Sequence, residues 1–185
     1  RSTKDEIHCF PVVENVHEAG ILASSLVPAR ISEDLNRKAL NITTQIAQGL
    51  KLHGMLAIEM FVMPDGQLLV NELAPRPHNS GHYTQDGTNV CQFEQHLRAI
   101  CGWPLREPKL HSPTVMLNLL GEHIPALQVW HAGLPAEAHL HWYGKAEARP
   151  GRKMAHLNLC AASLDEALEE LEKWKLRSPP KEIYT

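Results

Sequence analysis

Apolar positions along the chain follow two rhythms, and the rhythm changes at prolines and glycines. Residues 6–13 run apolar without a helical repeat and predict a strand. Residues 15–19 are polar and turn-like, and residues 20–27 form an extended apolar segment that Pro28 stops. A long helix follows. Ser32 is its candidate N-cap, and Glu33 and Asp34 stand in the first turn, where the helix dipole favours acids. Leu35, Ala39, Ile42, Ile46 and Leu50 recur every three or four residues, and Gly54 is placed to end the helix. Phe93, Leu97 and Ile100 share one face of a helix over 92–101, with Gly102 as the stop. Residues 104–113 read as a linker, and residues 114–120, 139–143 and 154–160 as strands. Ser163 and Glu166 form a capping box for a last helix with Leu164, Leu168 and Leu171 as its stripe, ended by Pro179-Pro180.

Residues 55–74 hold two strand-like runs around Pro64-Asp65-Gly66, a strong hairpin signal. With Asp65 and Gly66 as the two residues of a type I′ turn, Pro64 faces Gln67 and, counting outward, Glu59 faces Glu72. Facing Cβ atoms on one side of a hairpin lie about 4.5–5.5 Å apart, so two like charges there repel. A shared proton offsets that repulsion, and so does a hard cation; magnesium takes oxygen ligands and commonly uses one or two carboxylates plus substrate phosphates. Two solvated surface glutamates are the plainer alternative. A slip of one residue in register would remove the facing relation. Asn71, next in sequence, is expected to help only from the opposite face or the strand edge.

Residues 75–87 follow as a polar loop, expected to lie outside the core. Arg76, His78, Asn79 and Ser80 gather a guanidinium, an imidazole, an amide and a hydroxyl beside the glutamates, a set suited to an anion. His78 and His82 are four apart, but Asn79-Ser80-Gly81 opposes a helix and no third soft ligand supports zinc. Lys145, Arg149, Arg152 and Lys153 crowd a turn around Gly151, fit to clamp one phosphate or to stand solvated.

Composition narrows the classes. A hydrophobic fraction of 43% suffices for a buried core, and a net charge of −3 argues against a general nucleic-acid binder. The apolar runs are too short to span a membrane. Four cysteines without metal-ligand spacing read as reduced thiols of a cytoplasmic protein. The chain opens at Arg1 on a sheet-like segment, which suggests a piece of a longer polypeptide.

These blocks resemble a known family. The run from Glu59 through Pro64-Asp65-Gly66 to Asn71-Glu72-Leu73-Ala74-Pro75-Arg76-Pro77-His78-Asn79-Ser80-Gly81-His82 is similar to the magnesium and carboxyphosphate region of the 5-(carboxyamino)imidazole ribonucleotide synthetases, of the ATP-grasp superfamily. His139-Leu140-His141-Trp142-Tyr143-Gly144-Lys145 and Arg149 through Asn158 resemble the family's C-terminal substrate motif, and the likeness covers nearly the whole chain. Ala155 departs from a usual glycine and Pro77 from a small aliphatic residue.

The resemblance implies an α+β fold. Residues 1–104 would be the C-terminal part of the ATP-grasp domain, its second lobe an antiparallel sheet with helices. Residues 105–185 would be a small sheet-plus-helix domain closing the substrate site. It also implies ATP- and bicarbonate-dependent carboxylation of 5-aminoimidazole ribonucleotide through carboxyphosphate, in purine biosynthesis. Glu59 and Glu72 would hold Mg2+, with Asn71 and Glu72 at ATP. Arg76, His78 and Asn79 would be catalytic. Those three with Ser80, Lys145 and Arg152 would bind substrate. The family's N-terminal domain and first ATP-grasp lobe have no counterpart here, so this piece alone is expected to have little activity, and the whole enzyme to be a homodimer. Another ATP-grasp ligase, or a non-catalytic module keeping the fold, are the rival readings.

Overall fold

The computed structural model describes residues 1–125, 127 and 133–177. Two sheets carry the architecture, an α+β arrangement in which every pairing is antiparallel. The strands are β1 (Glu14–Glu18), β2 (Ile21–Val27), β3 (Ala57–Val62), β4 (Leu68–Ala74), β5 (Thr114–Leu120), β6 (Ala138–Trp142) and β7 (Lys153–Cys160). The larger sheet has the order β1-β2-β5-β7-β6, and β3 and β4 form a separate hairpin. The larger sheet therefore joins strands from both sides of residues 104–113, a segment that contributes one isolated bridge, Thr88 to Leu110.

Residues 6–13, expected as a strand, join neither sheet; β1 runs instead through most of the stretch 15–19 expected to be a turn. The turn is the residue pair Ala19-Gly20, both at positive φ (47° and 79°), which closes a hairpin between β1 and β2. β1 is an edge strand and its last three residues are exposed, so burial imposed no apolar alternation on it.

The sheet's two faces have different chemistry because strand side chains alternate. Val115, Leu117, Leu119, Ala155, Leu157 and Leu159 form an apolar face packed with Ala167 and Leu171 of helix α4 (Leu164–Arg177). Met116, Asn118, Met154, His156 and Asn158 are buried on the other face. Ser163 Oγ accepts the Glu166 N–H at 3.2 Å, while the Glu166 carboxylate accepts the N–H of Ala162, one residue before the expected partner. Pro179-Pro180 lies outside the described residues.

Helix α1 (Glu33–Leu50) starts at Ser32, whose hydroxyl accepts the Leu35 N–H at 3.3 Å. It ends before Gly54, because Lys51 takes the left-handed conformation (φ 52°). Only Ala39 and Ala47 of α1 are fully buried, and Leu50 is exposed. Helix α3 (Gln92–Ile100) turns its expected apolar face outward: Phe93, Leu97 and Ile100 are exposed, and Gln92, Gln95 and Ala99 are buried. The amides decide this orientation. Gln95 donates to Arg106 O at 2.6 Å and accepts Arg106 N–H, satisfying backbone groups of a segment that has no ladder of its own.

Candidate functional site

The hairpin begins with a three-residue turn. Met63 N–H bonds Gln67 O and Gly66 N–H bonds Met63 O, each at 2.9 Å, and of the turn residues only Gly66 has positive φ (79°). Pro64 takes the second position of this turn, where its fixed φ fits. The expected two-residue turn is therefore corrected, and the inner pairs are Met60 with Val70, Phe61 with Leu69 and Val62 with Leu68. A bulge then inserts one residue, Asn71, and beyond it Glu59 pairs with Glu72. The facing carboxylates arise from two one-residue offsets that cancel.

The bulge also corrects the expectation for Asn71. It lines the same 580 Å³ cavity as Glu59 and Glu72, as bulges do when they re-aim a side chain beside a site. His78, Lys145 and Lys153 also line it, as do His17 and Gly20 of the β1–β2 hairpin. A second, more apolar cavity of 620 Å³ runs between α1 and the hairpin. Glu59, Asn71 and His78 border both, and the second adds Arg76 and Ser80.

The loop after Glu72 is more ordered and more buried than its composition suggested. It holds a 3-10 turn (Asn79–Gly81) and the short helix α2 (Thr84–Gly87), and Ser80, Tyr83, Thr84 and Thr88 are buried. Hydrogen bonds make that burial tolerable. Gln92 accepts His78 N–H at 2.9 Å and donates from Nε2 to His78 O at 2.9 Å. Thr84 Oγ1 accepts Gln92 N–H, and the Tyr83 hydroxyl donates to Pro11 O at 2.9 Å. A Cβ at Gly81 would stand 2.4 Å from the Gln92 amide oxygen, so a larger residue there would displace the amide that holds the His78 backbone.

His78 is the centre of the electrostatics. Its Nδ1 lies 2.9 Å from Ser80 Oγ and accepts Ser80 N–H at 3.4 Å, which leaves Nε2–H toward Glu59 Oε1 at 3.8 Å. Burial lowers the His78 pKa, and the Arg76 and Lys153 charges add to the lowering, against the opposite pull of Glu59 and Glu72. Burial likewise lowers the Lys153 ammonium pKa, helped by Arg76 and Lys145 and opposed by Glu59. The cavity thus mixes two carboxylates with lysines and an imidazole, a setting for an anionic ligand with a hard cation.

Two expected residues line neither cavity. Arg152 donates to Glu147 O at 3.2 Å from an exposed turn, and Asn79 opens the 3-10 turn. Arg149 is paired with Glu147. Among the described residues no three His, Cys, Asp or Glu side chains gather as a metal cage, so His78 and His82 gain no third ligand for zinc. The four cysteines are unpaired.

A domain model described as the ATP-grasp domain matches residues 1–93, just over half of the chain. The chain belongs to the ATP-grasp family. A second model, the phosphoribosylaminoimidazole carboxylase C-terminal domain, matches residues 114–170. The ATP-grasp chain is 47% identical over 178 residues to N5-carboxyaminoimidazole ribonucleotide synthase of Bacillus subtilis (strain 168), covering 96% of this chain and 47% of that protein. A solved ADP complex of N5-carboxyaminoimidazole ribonucleotide synthetase superposes with a TM-score of 0.92 at 48% identity, over 96% of this chain and 47% of the other. The Aspergillus clavatus N5-carboxyaminoimidazole synthase, solved with ADP and 5-aminoimidazole ribonucleotide, gives 0.87 at 35% identity, over 94% and 48%. The chain spans about half the length of the curated relatives it matches.

Sequence reasoning missed two parts of this candidate site. Lys153 belongs to the basic cluster but carries no local sign that it, rather than Arg152, turns into the cavity. The histidines behind the loop were also missed: His82, His141 and His156 are 59 and 15 positions apart and meet only through the fold. The alternation His139, His141, Tyr143 was the available signal, since a strand puts all three on one face.

Proposed function

We propose that this chain is the metal- and substrate-binding half of an enzyme that carboxylates 5-aminoimidazole ribonucleotide with ATP and bicarbonate. The observation that carries the reading is the pair Glu59 and Glu72, facing across β3 and β4 and sharing one cavity with His78, Lys145 and Lys153. The donor set fits a magnesium ion: oxygen ligands, two of them anionic, with room left for phosphate oxygens. Glu59 and Glu72 would hold that ion, with Asn71 beside them at the ATP phosphates. Magnesium supplies charge neutralisation to the phosphates, and most of the remaining catalysis in phosphoryl transfer is positioning.

The chain's own groups would do the rest. Arg76, His78, Asn79 and Ser80 surround bicarbonate, carboxyphosphate and the aminoimidazole; His78 points its Nε2–H at that space while Ser80 and Gln92 fix the ring and its backbone. Lys145 and Arg152 bind the ribonucleotide phosphate. Arg152 reaches it by leaving its surface contact with Glu147 O. Residues 1–104 would then supply the metal side of the site, and residues 105–185 would close it from the substrate side. The complete enzyme would be a cytoplasmic homodimer with no nucleic-acid partner. Among the described residues, no helix is long and apolar enough to cross a membrane.

The complete protein tests this directly. ADP release and carboxylated product are measured with ATP, Mg2+ and bicarbonate, with and without 5-aminoimidazole ribonucleotide. Ribonucleotide-stimulated ADP release is the expected result; stimulation by a different acceptor would move the chain to another ATP-grasp ligase. The 185-residue piece alone is expected to give little or no turnover.

A further inference from the structure

Behind the loop of Arg76 and His78 lies a stack of three imidazoles. His156 is 1% exposed. His82 lies on one side of its ring, 4.4 Å between centroids and 13° from parallel, and His141 on the other at 4.4 Å and 10°. Phe93 caps the His82 end at 5.9 Å. His141 and His156 are cross-strand partners on β6 and β7, whereas His82 belongs to the site loop. The stack therefore joins the polar face of the large sheet to the segment that presents His78.

Each ring has a fixed partner. Gln92 Nε2 reaches His82 Nδ1 at 3.0 Å as well as His78 O, so one buried amide holds both histidines of the loop. His141 Nε2 lies 2.7 Å from Asp86 Oδ2, and Gln85 Nε2 lies 3.2 Å from His141 Nδ1. Asp86 also accepts from Asn158 Nδ2 at 2.6 Å. His156 Nδ1 lies 2.7 Å from the Tyr143 hydroxyl, and its Nε2 is buried without a partner. A protonated His156 would bury a second N–H beside two other imidazoles, so burial keeps this central ring neutral.

Tyr143 connects the stack to the other end of the cavity. It stands two residues before Lys145, whose ammonium sits over the Tyr143 ring at 5.2 Å. The same ammonium donates to Lys153 O, on the strand that carries His156. A continuous run of contacts thus leads from His78 through Gln92, His82 and His156 to Tyr143 and Lys145. We propose that His156 and Tyr143 are positioning residues, which hold Lys145 at a fixed span from His78 so that one ribonucleotide is gripped at its phosphate and presented at its amine. This rests on the functional reading given above. Neither residue needs to touch the substrate; the Tyr143 ring sets the lysine and the hydroxyl sets the ring.

Steady-state kinetics of the complete enzyme provide the test. Tyr143→Phe keeps the ring under Lys145 and removes only the hydroxyl bond. His156→Phe keeps the stack and removes the nitrogen that meets the hydroxyl. Each is expected to raise the KM for 5-aminoimidazole ribonucleotide about five- to tenfold, the scale of one lost hydrogen bond, with the KM for ATP within about twofold. The double variant is expected to be no worse than the poorer single variant, since both remove the same contact. Unshifted ribonucleotide KM in Tyr143→Phe would overturn the proposal, as would an equal rise for ATP and ribonucleotide that tracks a lowered Tm. If His156→Phe does not fold, Tyr143→Phe decides alone. A wild-type enzyme inert toward the ribonucleotide would remove the functional reading and this inference together; an active wild type with an unshifted Tyr143→Phe removes the inference alone.

Discussion

The β3–β4 hairpin and the five-stranded sheet build the two sides of one cavity by opposite means. The hairpin places Glu59 and Glu72 through neighbours in sequence: a turn at residues 64–66 and a bulge at Asn71. Phe61, Val62, Leu69 and Val70 are exposed, so little packing holds it in this chain. The sheet places Lys145 and Lys153 through distant residues, with β5 and β7 almost wholly buried and an imidazole stack spanning the loop and two strands. Chemistry on the hairpin is therefore nearly separable from stability, whereas on the sheet the two are mixed.

The sharpest way to break this contrast is to remove charge from the hairpin. Glu72→Gln in the complete enzyme is expected to lower kcat about 10²–10³-fold, with Tm nearly unchanged. A large fall in Tm would show that the carboxylates are structural. On the sheet, Leu157→Ala is expected to cost about 2–5 kcal/mol in urea unfolding of the 185-residue chain, because Leu157 is buried in the apolar face. Acid probes the stack. Burial lowers the pKa of His156 to about 3 and that of His82 to about 4, from an ordinary imidazole value of about 6.5. Both rings are neutral in the folded and unfolded chain above about pH 6.5, so they contribute no pH dependence there. Below it the unfolded chain takes up protons first, and stability falls as pH drops toward the folded values, by about 2 kcal/mol per imidazole at about pH 5. Denaturant midpoints between about pH 7 and pH 5 check this, and His156→Phe should flatten the slope. Smallest of all, Val70→Ala on the exposed hairpin is expected to change the stability of the 185-residue chain by less than about 0.5 kcal/mol.

What the sequence disclosed follows the same division. Ser32, the run of α1 and strands β5 and β7 were legible because capping and apolar periodicity are local. The edge strand β1 was not, since polar residues at a sheet edge carry no burial signal. The outward face of α3 was misleading for a related reason: Gln92 and Gln95 are buried by hydrogen bonds to loops that periodicity does not see. In the site, Glu59 and Glu72 were found opposite one another even though the turn was misassigned. Arg152 and Lys153 could not be ranked, because which of two adjacent basic side chains enters a cavity depends on strand β7 starting at Lys153.

The residue looped out at Asn71 is an addition to the hairpin's ladder rather than one of its rungs. Deleting Asn71 alone would close the ladder with Met60 still opposite Val70 and Glu59 still opposite Glu72, and would take away only the amide that the bulge aims at the cavity. The facing of the two acids is thus independent of the extra residue, so any loss of activity on deleting Asn71 reports the missing amide and not a lost register.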